Sequence, residues 1–185
     1  LKLCATTIKI LEDFKPSLQV MKIMCNDALC KRHWKAMSEI AGFNITPNAG
    51  TTLKKLMEID LREKMNEYEI ISTGGTKEKQ LLDCLNELKN QWIGINFQVK
   101  KIGEQVLILD HLKDIESVVD DHMIKIVSMR SSVFVKAHEE EVLEFYNKIL
   151  NISSVINNWK IIQREYLKLL PIFKISDVIK FIPTE

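Results

Sequence analysis

Two long apolar stripes, each with the spacing of one face of an α-helix, constrain the fold more than any other feature. The first stripe runs from Leu81 to Ile102 and the second from Val142 to Gln163. Apolar residues recur at alternating steps of four and three when a helix buries one face against a neighbour. An exposed face of this kind would cost about 25 cal/mol for every Å² of apolar surface left in water. The stripes therefore predict helices packed on helices, along Leu81, Leu85, Leu88, Trp92, Ile95, Val99 and Ile102 in the first and Val142, Phe145, Ile149, Ile152, Ile156, Trp159 and Gln163 in the second.

Shorter helical patterns flank the stripes. Residues 2–15 and 17–25 predict two helices separated by Pro16, and a short helix carrying Trp34, Met37 and Ile40 is expected to stop at Gly42. After the turn-prone residues 47–50, Thr51 or Thr52 can cap a further helix, and residues 113–130 form a later one. The core faces expected for these last two helices are Leu53, Leu56, Met57, Leu61, Met65 and Tyr68, and Ile115, Val119, Met123 and Ile126.

One stretch has the alternation of a β-hairpin, with Phe97 and Val99 before a turn at residues 101–104 and Val106 and Ile108 after it. We expect the first long helix to end within residues 94–98. The predicted fold class is all-α: an elongated antiparallel helical bundle or arch with at most one small β-hairpin near residues 96–109. Because the pattern begins without Met and in mid-helix, we expect residues 1–185 to be a single helical segment and a fragment of a much longer chain.

Composition excludes several classes of partner. The net charge is +1 and the charges are interspersed, so the basic patch that nucleic acid or an anionic membrane would need is missing. No apolar run approaches the roughly 18 residues of a membrane span. The four cysteines form no dense disulfide framework and no signal peptide precedes them, which favours a reducing, intracellular compartment. An apolar content of 46% excludes a disordered chain.

The stretch Ser72-Thr73-Gly74-Gly75-Thr76-Lys77 looks like a phosphate-binding loop, and it resembles the Ser-Thr-Gly-Gly-Thr loop of the methylglyoxal synthase family. Such a loop needs a strand before it and a helix after it, so that backbone N–H groups face the anion. A helical pattern precedes this stretch instead, and the Walker spacing is absent. We therefore expect Gly74 and Gly75 to end one helix in a left-handed cap and Thr76 to begin the next. An enzyme that uses residues 73–76 for phosphate is the alternative.

Cys25, Cys30 and His33 have the residue types of a zinc site, with Cys4 or a distant histidine as fourth ligand. The usual Cys-x-x-Cys spacing is missing, however. Buried structural thiols are therefore the preferred interpretation, and no metal site is predicted.

Asp120-Asp121-His122 contains an acid and a base, but adjacent helical residues point about 100° apart and do not converge on one substrate. We expect a polar helix face with His122 at its border. The run Glu139-Glu140-Glu141 with Glu144 is interpreted as the acidic first turn of a helix, with an acidic partner-binding patch as the alternative. We predict no catalytic, cofactor-binding or metal-binding residues. The expected packing anchors are large aromatic residues: Trp34, Trp92, Trp159 and Phe173.

Several short motifs, in order along the chain, resemble the dynein heavy chains in the N-terminal half of the linker that precedes their ATPase ring. The resemblance covers residue 18 to the last residue, and it is closest to axonemal, inner-arm heavy chains over residues 33–53. Tyr166, Leu170 and the pair Gly74-Gly75 depart from the family, which usually has Trp, Glu and a small residue there. The matching motifs are Lys31-Arg32-His33-Trp34-Lys35-Ala36-Met37 with Gly42 and Thr52-Leu53; Lys77-Glu78 with Leu81, Leu85 and Trp92; Asp120-Asp121-His122 with Met129-Arg130-Ser131-Ser132 and Phe134; and Trp159, Gln163, Leu167, Leu169, Pro171-Ile172-Phe173, Asp177 and Ile182-Pro183 with Glu185.

The resemblance implies a non-catalytic, force-transmitting linker segment in a microtubule motor. In dyneins the linker is a helical arch that lies across a ring of ATPase modules and bends and straightens with the nucleotide state. The implied partners are that ring, other dynein subunits and axonemal complexes, with microtubules contacted only indirectly and no nucleic acid or membrane. ATP and Mg²⁺ belong to the parent ring, no cofactor is implied for this fragment, and the implied location is the axoneme of a cilium or flagellum. The alternative is a free-standing, spectrin-like helical scaffold, which would show self-similar repeats.

Overall fold

The computed structural model describes residues 2–15, 17–48, 50, 52, 64–103 and 106–173. Two compact units are present, residues 1–83 and 84–185, and each is described by itself. The described parts are helical apart from turns, connecting segments and a two-stranded sheet, so the prediction of an all-α fold with one small hairpin is confirmed. None of the described helices combines the length and the apolar character that crossing a lipid bilayer requires.

The first unit contains three short helices and part of a long one. Helix α1 spans Lys2–Phe14, α2 spans Ser17–Met24, α3 spans Lys31–Ala41 and α4 spans Met65–Gln91. Helix α3 stops at Gly42 as expected, because the left-handed φ of 82° at this residue turns the chain away. The core is formed by α2, α3, α4 and the segment after α3, through Val20, Ile23, Met37, Ile45 and Tyr68.

Part of the predicted helical pattern lies outside the described residues. Pro16, the helix start at Thr51 and the core positions Leu53, Leu56, Met57 and Leu61 fall there. The last two core positions of that pattern, Met65 and Tyr68, are in the first turn of α4, where Tyr68 is buried.

Helix α4 runs without a break through Gly74 and Gly75, so the predicted left-handed cap and the new helix start at Thr76 are wrong. The same continuous helix removes the loop that the phosphate alternative required. The physical reason for glycine is a close approach rather than a turn. A Cβ atom on Gly75 would lie 3.1 Å from Cε1 of His33 and 3.1 Å from Cδ2 of Leu29.

The second unit is built on two long helices that follow the hairpin. Helix α5 spans Leu112–Arg130 and α6 spans Glu139–Phe173, with the 3₁₀ turn Val133–His138 between them. Lys160 pairs with Glu116, and Arg130 lies 4.4 Å from the ring centroid of Tyr146. Rising residue numbers on α5 therefore face falling numbers on α6, so the two helices are antiparallel, as predicted. Glu139, Glu140 and Glu141 form the first turn of α6, which confirms the expected acidic helix start.

The buried face of this unit follows the predicted stripes over most of their length. In the second stripe, Val142, Phe145, Ile149 and Ile156 are buried as predicted, Ile152 is only partly buried, and Trp159 is half exposed. On α5 the structure corrects the expected core face: Met123 is only partly buried, while His122 and Met129 are buried. Among the described residues of the unit, the buried apolar ones are Leu85, Leu88, Ile115, Val119, Ile126, Met129, Val135, Val142, Phe145, Ile149 and Ile156.

The predicted hairpin is confirmed. Strand β1 spans Gln98–Ile102 and pairs antiparallel with β2, Val106–Asp110. Helix α4 ends at Gln91, earlier than the expected range, and a turn follows in which Gly94 has a φ of 95°. The last positions of the first stripe, Ile95, Val99 and Ile102, therefore lie beyond the helix, because this left-handed residue stops a pattern whose spacing continues.

Candidate functional site

The first candidate site, the His33 joint, connects the segment before α3 to the middle of α4. The amide nitrogen of Asn26 lies 2.8 Å from Oγ of Ser72, 2.9 Å from Oγ1 of Thr76 and 3.1 Å from the Ser72 carbonyl oxygen. Its own Oδ1 accepts from the backbone N–H of Ala28 at 3.0 Å. Asn26 thereby fixes the turn before α3 to the polar residues of the stretch that looked like a phosphate loop.

His33 is the centre of this joint and is held at both ring nitrogens. Nδ1 accepts from the backbone N–H of Cys30 at 3.2 Å, and Nε2 lies 3.0 Å from Oε2 of Glu78. Because Nδ1 is an acceptor, the ring proton is on Nε2 and is donated to the carboxylate. Arg32 bonds to the same carboxylate oxygen. The imidazole therefore cannot swing away from Gly75 without breaking two hydrogen bonds.

The second candidate site, the His122 joint, lies in the second unit. His122 is 1% exposed, and its Nδ1 accepts from the indole N–H of Trp92 at 2.9 Å. Its Nε2 donates to Oε1 of Gln91 at 2.7 Å. Burial lowers the pKa of His122 below its ordinary value, nearby Lys125 lowers it further, and Asp121 opposes both. The neutral ring that results is the form that can accept from Trp92 and donate to Gln91 at once.

Gln163 of α6 makes a third cross-connection, to the hairpin. Its Nε2 donates to the carbonyl oxygen of Leu109 and its Oε1 accepts from the N–H of the same residue, both at 2.9 Å. The indole N–H of Trp159 also donates to this Oε1, at 3.2 Å. One side-chain amide thus bonds to β2 as a neighbouring strand would.

These contacts position helices and do not assemble reactive groups. The acid–base interpretation of residues 120–122 has no support, because Asp120 and Asp121 are exposed while His122 is buried. The prediction that His122 lies at the border of a polar face is wrong, since His122 occupies the buried stripe of α5. Among the described residues, no group of three or more His, Cys, Asp or Glu side chains is placed to hold a metal ion.

The cysteine prediction is also corrected. Cys25 and Cys30 were expected to be buried structural thiols, but both are exposed, as is Cys4, and Cys84 is partly buried. The reason is that Cys25 follows α2 and Cys30 precedes α3, so both lie in the connecting turn rather than on a core face. Cys30 Sγ is 3.3 Å from Nδ1 of His33.

The predicted aromatic anchors occupy different environments. Trp34 packs against the core of the first unit, Trp92 is partly buried beside His122, and Trp159 is 50% exposed. The side chain of Phe173 lies outside the described residues. Their role as packing anchors stays a prediction.

The comparison with protein families decides what the molecule is. The model of the family described as "Dynein heavy chain, N-terminal region 2" matches residues 1–185. The chain belongs to the dynein heavy chain family.

Curated relatives of this dynein segment include dynein axonemal heavy chain 12 of Rattus norvegicus, 36% identical over 155 residues, or 83% of this chain and 5% of the relative. Dynein axonemal heavy chain 3 of Homo sapiens is 32% identical over 183 residues, which is 98% of this chain and 4% of the relative. Dynein axonemal heavy chain 1 of Mus musculus is 26% identical over 176 residues, 95% of this chain and 4% of the relative. The dynein segment thus spans about a twentieth of these relatives.

Some of the residues that carried the family resemblance lie in the joints of this dynein segment. Arg32, His33 and Glu78 meet in the first joint, Trp92 and His122 in the second. Sequence reasoning did not foresee the contacts themselves. A signal was present for His122, because it stands at the position that the steps Ile115, Val119, His122, Ile126 and Met129 require to be buried. Nothing in the sequence indicated that Asn26 would reach residues 72–76.

Proposed function

We propose that this segment is the N-terminal part of the linker of an axonemal, inner-arm dynein heavy chain, and that it transmits force without catalysing a reaction. The observation that carries the proposal is the pairing of long helices with buried polar joints. Close-packed cores resist deformation, and a buried hydrogen-bonded network fixes one arrangement of its helices. The family match over residues 1–185 supports a place in the heavy chain rather than a free-standing scaffold.

The proposal assigns the chemistry to other parts of the parent chain. We infer that ATP and Mg²⁺ bind in an ATPase ring outside these residues, and that the segment itself needs no cofactor. The proposed partners are that ring, other dynein subunits and axonemal complexes, with microtubules reached only through the rest of the motor. The axonemal names of the relatives support a location in the axoneme of a cilium or flagellum.

The test separates force transmission from ATP hydrolysis. In the full-length heavy chain, His122→Ala removes the acceptor of the Trp92 indole and the donor to Gln91, and so loosens the joint. We expect slower microtubule gliding with little change in basal ATPase activity. Asp120→Asn, an exposed change on the same helix, is the matched control and should leave both unchanged. Equal loss of gliding and ATPase activity, or no change in gliding despite a loosened joint, would count against the proposal.

A further inference from the structure

The two outer edges of the hairpin differ: the edge of β2 is bonded to another element at Leu109, whereas the edge of β1 has no such bond among the described residues. The N–H and C=O of Leu109 both bond to Gln163, so at this position β2 directs its backbone groups away from β1. Residues directly opposite in an antiparallel pair share this arrangement, and Val99 lies opposite Leu109. Val99 therefore directs its own N–H and C=O away from β2. Lys101, two residues further and opposite Leu107, does the same.

No described element covers this outer edge of β1. No backbone hydrogen bond from another described segment reaches Val99 or Lys101. Every residue of β1 except Ile102 is exposed, and Val99 is 61% exposed. Unpaired N–H and C=O groups in a row are the template to which an extended peptide adds as a further strand.

The side chains along this edge define the chemistry of the strand that would fit. Phe97, Val99 and Lys101 alternate with Gln98 and Lys100, so the first three share one face and the other two share the opposite face. The face of Val99 also carries Leu107, which is 65% exposed. Neither Lys100 nor Lys101 forms an ion pair with a described carboxylate, whereas other lysines of the chain do.

Lys100 and Lys101 determine which kind of strand can pair with the outer edge of β1. Pairing of β1 with a second copy of itself brings ammonium groups together across the edge, and like charges on neighbouring strands are destabilising. An acidic strand places carboxylates beside the same groups and is attracted. The charge of the edge therefore rejects self-association and favours an acidic partner.

We propose that β1 is a docking strand for an extended acidic segment of another polypeptide, which adds to the hairpin as a third strand. The added strand places carboxylates beside Lys100 and Lys101 and an apolar side chain beside Val99. This docking role goes beyond force transmission, and only the choice of complex in which it is tested rests on the proposed function. Because the test detects contacts rather than movement, it can refute the docking site without refuting the linker role.

The test is zero-length carbodiimide crosslinking of the full-length heavy chain in its native complex, followed by mass spectrometry. The reagent joins amines to carboxylates in direct contact. Lys160–Glu116 and Lys89–Glu141, which are ion-paired at 2.6 and 3.1 Å, supply internal positive controls. We expect Lys100 or Lys101 to be joined to Asp or Glu in an apolar-acidic alternating segment of another polypeptide. If the controls form but the two lysines remain unjoined, or join only to the same heavy chain or to a second copy of it, the proposal is overturned.

Two substitutions at one position test the backbone pairing. Val99→Pro removes an outward N–H while leaving the β1–β2 ladder, and Val99→Thr keeps both the N–H and the strand preference. Loss of one hydrogen bond lowers the intermolecular crosslink roughly two- to tenfold for the proline variant, with no loss for threonine. Amide exchange at Ile108, which lies opposite Lys100 and directs its N–H toward β1, reports whether the hairpin is intact. If proline disrupts the hairpin, the Lys101→Glu variant is tested instead of the proline variant and should lower the intermolecular crosslink at Lys100. An unchanged crosslink in a variant with an intact hairpin contradicts strand addition.

Discussion

Replacing Gly75 with alanine increases helix propensity but crowds the packing in the His33 joint. In the interior of a helix, alanine is more favourable than glycine by about 1 kcal/mol. The added Cβ, however, would lie 3.1 Å from Cε1 of His33, 3.2 Å from its Nδ1 and 3.1 Å from Cδ2 of Leu29. These separations are a few tenths of an ångström too short, so the neighbours must move.

The two neighbours differ in their freedom to move. Leu29 ends in a flexible, partly exposed side chain, whereas the ring of His33 is held by Cys30 at one nitrogen and by Glu78 at the other. Swinging the ring away gives up two hydrogen bonds of about 0.5–1.5 kcal/mol each, and overpacking of a closed contact costs about 1–3 kcal/mol. Packing therefore outweighs propensity, and Gly75→Ala should destabilise α4 by about 1 kcal/mol.

The assay is native-state amide exchange of residues 72–79 in the full-length heavy chain, which reports the local opening free energy. The comparison is made twice, in the natural background and in a His33→Ala background. With the imidazole removed, Gly75→Ala should stabilise α4 instead of destabilising it, because only the gain in helix propensity and the contact with the movable Leu29 remain. If Gly75→Ala stabilises α4 in both backgrounds, the ring of His33 is not held as described and the close-approach account of this glycine is refuted.

Three further predictions concern the second unit. Because burial lowers the pKa of His122 below 6.5 in the folded state, its stabilising contribution is complete above pH 6.5 and is lost as the pH falls through the lowered value. The opening free energy of α5 amides, taken from exchange rates corrected for the intrinsic pH dependence of amide exchange, should therefore fall as the pH drops below 6.5, and His122→Gln should remove most of this fall. Gln163→Ala should destabilise the hairpin by about 1–3 kcal/mol, seen as faster exchange at Leu109, whereas Gln163→Glu should recover only part of the loss because a carboxylate cannot donate to the Leu109 carbonyl. Leu85→Ala, at a fully buried position, should cost about 2–5 kcal/mol of local unfolding free energy, against less than about 0.5 kcal/mol for Ile124→Ala at a position 70% exposed; equal effects would contradict the assigned core.

Apolar spacing was sufficient to predict where helices pack. The positions from Val142 to Ile156 were placed on the buried face of α6 because large side chains recur at helical intervals, and the alternation of residues 97–108 was sufficient for the hairpin. The first stripe failed beyond Trp92, because Ile95, Val99 and Ile102 keep the helical spacing by coincidence. A left-handed Gly94 ends the pattern there.

The joints were harder to predict, because residue type alone is ambiguous. A glycine pair is equally suited to a helix cap and to a close contact between helices, and only the tertiary neighbour of Gly75 decides between them. His122 was assigned to a polar face on its residue type, although its spacing matched the buried stripe. Long-range polar contacts such as Asn26 with Ser72 depend on the packing of separate elements and leave no local signal.

The central proposal is that α5 and α6 move as one stiff body, while the ATPase chemistry lies in other parts of the heavy chain. It is tested most directly by spin-label distances in the full-length heavy chain, with the exposed Asp121 and Asn151 replaced by cysteine and the exposed natural cysteines removed. The account predicts that the distance between these labels stays constant across nucleotide states, while the distance from residue 151 to a label in the ATPase ring changes. A nucleotide-dependent change between residues 121 and 151, or a constant distance to the ring, would contradict it.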